Sequence, residues 1–291
     1  MSTIIYHDDL DGKCSAAIVN LLSKSDGWGI INFITVNYKD KLDYSNLSLP
    51  IFILDFSLSE EEMQKVIKQR GDNNIFWIDH HATAKNYSYQ YLKGLRNFED
   101  KKYAGCELTW MYFFPDKEIP YAVKLIGDYD KWALKYQPAC FAFYEGMKLE
   151  ANGPESEIWK LLFNEKLANN WVETIIQDGN IAIKYRDNYC LGMIKSYGYE
   201  TEIDGHKAFA MNVQGFGSQS FGQKFQEYPI CISYIHDGSK YMISFYSETV
   251  DVGKLAKKVG HECNASSAGG HSGAAGMVVM KLPFRKNWRN S

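Results

Sequence analysis

The apolar positions in the first part of the chain come in short unbroken runs rather than in alternation. "TIIY" (3–6), "NFITV" (32–36), "IFILDF" (51–56) and "NIFWID" (74–79) are rich in Ile and Phe. Runs of that kind predict strands buried on both faces of a parallel sheet. Helical patterns fall between them. Ser59 and Glu62 make a capping box for a helix through about Arg70, and another helix should start near Gly12 and carry Ala16 to Leu22. Segments 105–114 and 119–127 also read as helices, the second running into "GDYDKW". Strands alternating with helices predict an α/β fold, with an N-terminal parallel-sheet domain over residues 1–150.

Gly and Pro in "EANGPES" (150–156) interrupt this pattern. A long helical stretch follows from Glu155 to about Asn188, so residues 151–189 read as a helical connector. The pattern then becomes β-rich over 190–291, with "HKAFAMNV", a hairpin in "PICISYIHDGSKYMISFY" and the helix "VDVGKLAKKVG". A glycine cluster, "SAGGHSGAAG", precedes a last apolar run "MVVMKL". This predicts a second, smaller α/β domain.

Composition narrows the class. The chain is 45% hydrophobic and 23% charged, which marks a folded protein rather than a disordered one. No stretch is apolar enough to span a bilayer, and no secretory signal precedes the first strand, so a cytoplasmic, membrane-free protein is expected. The six cysteines are scattered without a C-x-x-C pair, so they read as reduced thiols rather than zinc ligands or disulfides. A net charge of −3 excludes a strongly basic nucleic-acid coat and leaves room for a local anion pocket.

Three of the four strands of the first domain end in acidic or histidine residues. His7, Asp9 and Asp11 follow the first, Asp55 the third, and Asp79, His80 and His81 the fourth, while Asp128 closes a later helix. Asp9 read alone is a helix cap, but an open parallel sheet gathers ligands at the carboxyl ends of its strands. Carboxylates with imidazoles and no thiolate suit Mn²⁺, with Mg²⁺, Fe²⁺ or Co²⁺ as alternatives. So many carboxylates suit two ions, roughly 3.5 to 4 Å apart, sharing an aspartate. Such a pair acidifies a water and neutralises phosphoryl oxygens.

"HDDLDG", the aspartate of "ILDFS", the triplet "DHH" and the aspartate of "GDYDKW" resemble, in order and spacing, the four motifs of the DHH phosphoesterases. "GGHSGAAG" (269–276) resembles the glycine and histidine motif of the DHHA1 domain that follows in the RecJ-like and nanoRNase-type phosphodiesterase branch. The resemblance implies His7 and Asp9 on one ion, Asp11 and His80 on the other, Asp55 bridging, and Asp128 completing the second site, with Asp130 the competing choice. It implies a catalytic role for His81 at the scissile phosphate or leaving group, and Asp79 as the residue that orients the histidines. It implies that His271, Gly269 and Gly270 cradle a substrate phosphate, with Tyr246 beside them. Two positions depart from the family pattern: Ala268 stands where a third glycine is usual, and Tyr246 where an arginine is frequent.

The expected function is therefore a Mn²⁺-dependent, two-metal phosphodiesterase, a nuclease of short oligonucleotides or of linear or cyclic dinucleotides held in a cleft closed by the second domain. The alternatives are a phosphomonoesterase of the 3′-phosphoadenosine phosphate type and a nucleotide-binding protein without catalysis. A short nucleic acid or nucleotide is the partner expected. No motif demands a protein partner, and a homodimer is compatible with the sequence.

Overall fold

Ile4 and Ile5 are fully buried in strand β1 (Ser2–His7), which lies inside a four-stranded sheet. The computed structural model describes residues 2–23, 27–29, 31–37, 40 and 42–285. Strands β2 (Ile31–Val36), β3 (Ile51–Leu54) and β4 (Ile75–Ile78) complete the sheet in the order β2-β1-β3-β4. All of its pairings are parallel. Every residue of β3 is buried, as its continuous apolar run predicts. β2 differs from the expectation of burial on both faces: Asn32 and Thr35 are exposed, because this strand forms one edge of the sheet.

Register places the strand ends together. Tyr6 pairs with Leu54, and Leu54 with Ile78, so the next rung brings His7, Asp55 and Asp79 to one edge.

Helix α1 (Leu10–Leu22) follows β1, and α2 (Glu60–Arg70) begins at the reciprocal Ser59–Glu62 capping box. Beyond the sheet, α3 (Gly105–Phe113), α4 (Tyr121–Asp130), α5 (Ala139–Met147) and α6 (Glu157–Leu162) pack with α1. α4 runs three residues past the predicted end at 127, which carries Asp130 into the helix.

The chain divides into two compact units, Met1–Ala182 and Ile183–Ser291. The first extends past residue 150 because Ile158, Trp159, Val172 and Ile175 lie in the same core as Cys140 and Phe143. Burying a side chain of that size contributes about 1.5–3 kcal/mol, enough to hold the start of α7 (Ala168–Tyr197) in the first unit. The helical segment is thus two helices, and the second continues to Tyr197.

The second unit is a mixed six-stranded sheet in the order β5-β6-β7-β8-β10-β9. Its strands are β5 (Tyr199–Ile203), β6 (His206–Met211), β7 (Ile230–His236), β8 (Tyr241–Tyr246), β9 (Ser267–Gly270) and β10 (Ala274–Val279), with the short α8 (Lys224–Glu227) before β7. β7 and β8 form the predicted hairpin. Its turn is held by Asp237, whose Oδ1 accepts from the Ser239 and Lys240 amides; these bonds lower its pKa to about 2. Helix α9 (Val252–Glu262) lays Val252, Leu255, Ala256 and Val259 on the sheet. The glycine cluster is a strand pair, with Gly269 and Gly270 in β9 opposite Gly276 and Ala275 of β10.

All six cysteines are free, and all but Cys263 are buried. Among the described residues no helix is long and apolar enough to cross a membrane.

Candidate metal centre

The loop after β1 carries His7, Asp9 and Asp11 into α1. Asp9 is the N-cap, its Oδ1 accepting from the Gly12 amide at 2.8 Å, so the capping reading and the cluster reading hold together: its other oxygen, Oδ2, lies 2.8 Å from His7 Nδ1. Gly12 is required here, because a Cβ would stand 2.2 Å from the His7 carbonyl oxygen.

Asp55 follows β3 in a left-handed conformation, with φ of 52°. A non-glycine residue there carries backbone strain, of a kind that gathers at functional sites. Its side chain is 1% exposed, and both oxygens lack a hydrogen-bond partner. His80 Nε2 lies 3.2 Å from Asp55 Oδ1, 3.3 Å from Asp130 Oδ2 and 3.7 Å from Asp11 Oδ2, and it too is buried without a hydrogen bond. These atoms face one another at contact distance without hydrogen-bond alignment.

Three overlapping groups could each hold a metal ion: His7, Asp9 and Asp55; Asp55, His80 and His81; and Asp11, His80 and Asp130. The donor set fits. Buried carboxylate oxygens without donors are costly unless a cation meets them, and oxygen with imidazole ligands suits hard or borderline divalent ions.

The local charges point the same way. Burial, with the Asp11 and Asp9 carboxylates, holds Asp55 well above the usual carboxylate range. Burial and the Asp11 carboxylate do the same for Asp130. Burial disfavours the His7 cation, but the nearby Asp55 and Asp9 carboxylates prevail and raise its pKa to about 10. Without a cation, charge on Asp55 and Asp130 is disfavoured, while His7 is favoured as the cation beside them.

Asp11 is fixed from a distance in sequence. Its Oδ2 and Oδ1 accept from the amides of Gly105 and Cys106, each at 2.7 Å. These amides open α3, whose positive end favours a carboxylate. Gly105 allows this approach, since a Cβ there would lie 2.7 Å from Asp55 Cβ and 2.8 Å from its Oδ1. Glu107 closes the same turn, accepting from the Ala104 amide at 2.9 Å and from Lys131 Nζ at 2.5 Å. Gly105, Glu107 and Lys131 belong to no motif legible in the sequence, where the small pair Ala104–Gly105 ahead of a helix was the signal.

Asp79 is fully buried. Its Oδ1 pairs with His81 Nδ1 at 2.7 Å and accepts from the His80 amide at 2.8 Å, while Oδ2 accepts from Ser57 Oγ. Burial opposes its charge, yet the His81 bond prevails and lowers its pKa.

Asp128, expected to complete the second site, is not brought to the His80 cluster. Its oxygens accept from the Lys135 and Tyr136 amides at 2.9 and 2.8 Å, which folds the turn after α4, and it is absent from the ligand groups. Two residues on along a helix is a rotation of roughly 200°, so Asp128 and Asp130 point to different sides, and Asp130 faces His80.

The other expected residues lie in the second unit. Tyr246 ends β8 opposite Ala274. Gly269 and Gly270 both have φ of 147°, and a Cβ on Gly270 would meet the Ala275 Cα at 2.5 Å. His271 is exposed in the turn between β9 and β10, its amide bonded to the Ala274 carbonyl at 2.8 Å.

No protein-family model matches this chain. An uncharacterized protein of Acanthamoeba polyphaga mimivirus is 26% identical over 269 residues, covering 87% of this chain and 58% of that one. The chain thus spans less than two thirds of the length of this curated relative. Among solved structures it is similar to a DHH domain described as a member of the s1p family of ribosomal proteins, with a TM-score of 0.59 and 14% identity over 96% of this chain and 82% of that one. Exonuclease RecJ bound to manganese gives 0.55 and 13% over 96% and 85%, and RecJ from Thermus thermophilus in complex with Mn²⁺ gives 0.51 and 13% over 96% and 49%. The chain shares the fold of these DHH-domain and RecJ structures.

Proposed function

We propose that this chain, with its DHH/DHHA1 fold, is a metal-dependent phosphodiesterase that takes two divalent ions, Mn²⁺ foremost, and hydrolyses short oligonucleotides or dinucleotides. The observation that carries this reading is Asp55: a fully buried carboxylate with two unbonded oxygens between His7 and His80. His7 and Asp9 would hold one ion, Asp11, His80 and Asp130 the other, and Asp55 both. Ions bound there supply positive charge for phosphoryl oxygens and acidify a water.

The chain's own groups do the rest. The α3 amides hold Asp11 in place, so the ligand set needs little rearrangement. Asp79 keeps the His81 proton on Nδ1 and its lone pair on Nε2. A proton taken up at Nε2 would make His81 a cation paired with Asp79, and His81 would then give that Nε2 proton to the leaving oxygen and return to neutral. The RecJ neighbours are described with manganese, which supports the choice of metal. His271, with Gly269 and Gly270, supplies the anion contact of the second unit, where close backbone approach needs glycine.

The test incubates the purified protein and Mn²⁺ with pApA, longer 5′-phosphorylated oligonucleotides, cyclic dinucleotides, adenosine 3′,5′-bisphosphate and pyrophosphate. Mononucleotides from the diesters are expected. Free phosphate alone would move the assignment to a monoesterase or pyrophosphatase, and no product at all to a nucleotide-binding protein.

A further inference from the structure

Among the described residues Ser57 lies outside every group that could hold a metal, yet it is built into the wall behind His81. Its hydroxyl donates to Asp79 Oδ2 and accepts from Trp77 Nε1 at 3.1 Å. Trp77 Nε1 also reaches the Phe56 carbonyl at 3.1 Å, and the Trp77 side chain is fully buried. Asp79 spends its other oxygen on His81 Nδ1, at 2.7 Å, and on the amides of His80 and His81, at 2.8 and 3.3 Å. A chain of hydrogen bonds therefore runs from the Trp77 indole through Ser57 and Asp79 to the His81 ring.

We infer that Ser57 is a positioning residue: by holding Asp79 Oδ2 it fixes the rotation of that carboxylate, and through it the orientation and tautomer of His81. The geometry gives the reason. A carboxylate held at one oxygen turns about its Cβ–Cγ bond by giving up the bonds of that oxygen alone, whereas one held at both must give up bonds on each side. With Ser57 in place Oδ1 stays in the plane of the His81 Nδ1–H bond, which leaves Nε2 as the lone-pair atom. The Trp77 indole in turn orients the Ser57 hydroxyl, since an oxygen that accepts from the indole aims its own hydrogen elsewhere, and Asp79 is the acceptor it meets. The arrangement does not need the metal. The assignment of this role to catalysis rests on the phosphodiesterase reading, whereas the control of the His81 tautomer does not.

The test compares the wild type with Ser57→Ala and Ser57→Thr. Ser57→Ala leaves Trp77 Nε1 its bond to the Phe56 carbonyl, so the fold is retained and a thermal melt checks this. The first readout is the ¹⁵N–¹H correlation of the His81 ring in metal-free protein. Wild type and Ser57→Thr should show one tautomer with the proton on Nδ1, and Ser57→Ala a shifted or averaged pattern. The second is turnover of the best diester with Mn²⁺, where Ser57→Ala should lower kcat about 10- to 100-fold, the range for residues behind metal-site groups, with KM and metal stoichiometry unchanged and Ser57→Thr restoring the rate. An unchanged His81 signature in a folded Ser57→Ala protein overturns the inference. A shifted signature with no turnover of any diester by the wild type keeps it and sinks the phosphodiesterase reading instead.

Discussion

Asp130 Oδ2 lies 3.3 Å from His80 Nε2, while Asp128, two residues earlier, binds the backbone of the turn that follows. The geometry sets Asp130 beside the donor cluster and Asp128 in the turn after α4. Asp130→Asn should therefore lower metal stoichiometry by one and cut turnover by at least about 100-fold, beyond the range for residues behind the ligands, with the melting temperature of the metal-free protein unchanged or raised. Asp128→Asn should keep both ions and lose about 1–3 kcal/mol of stability, the cost of amides left without a charged acceptor. Metal titration and chemical denaturation of the two variants check the assignment, and the reverse pattern would return Asp128 to the metal.

Asp55 sits where burial and neighbouring carboxylates penalise its charge. Its folded pKa lies above the unfolded value, so in metal-free protein its contribution to stability falls as pH rises between the two. Asp55→Asn should abolish metal binding and activity while making the metal-free protein more stable at neutral pH. Denaturant midpoints in EDTA, set beside metal binding by calorimetry, read both effects.

His7 gives the complementary pH dependence. Its folded pKa is raised to about 10 from the ordinary 6.5, so its stabilisation is fully present below pH 6.5 and is lost as pH rises through about 10. Metal-free wild type should lose stability across that window more steeply than His7→Gln. The check is the difference in unfolding free energy between pH 6 and pH 9 for the two proteins, and parallel curves would remove His7 from the account.

Metal binding must displace the proton that His7 holds below about pH 10 in the metal-free cluster. Apparent Mn²⁺ affinity should fall as pH is lowered, and proton release should be seen as a dependence of the binding enthalpy on the ionisation enthalpy of the buffer. A buffer-independent enthalpy at pH 7 would contradict the charge state described here.

Gly105 lies against Asp55. A methyl group there would lie 2.7 Å from Asp55 Cβ, and relieving that overlap costs about 1–3 kcal/mol. Gly105→Ala should weaken metal binding at least about tenfold by displacing Asp55 or the α3 amides that hold Asp11. Calorimetric titration with Mn²⁺ measures this directly.

What the sequence determined by itself are the features written in local pattern. Continuous Ile and Phe runs set β1, β3 and β4, the Ser59–Glu62 box set the start of α2, and the "HDDLDG" and "DHH" clusters lay at strand ends because a parallel sheet leaves its ligands nowhere else. Tertiary structure decided the rest. The edge position of β2, the docking of Val172 and Ile175 into the first unit, and the approach of Gly105 to Asp55 each depend on which distant surface is available to pack against. The choice between Asp128 and Asp130 turned on how far α4 continues and on which side each position faces, and the hold of Ser57 on Asp79 joined groups 22 residues apart. Hydrophobic periodicity reports which side of an element is buried, but it does not carry the identity of the partner that buries it.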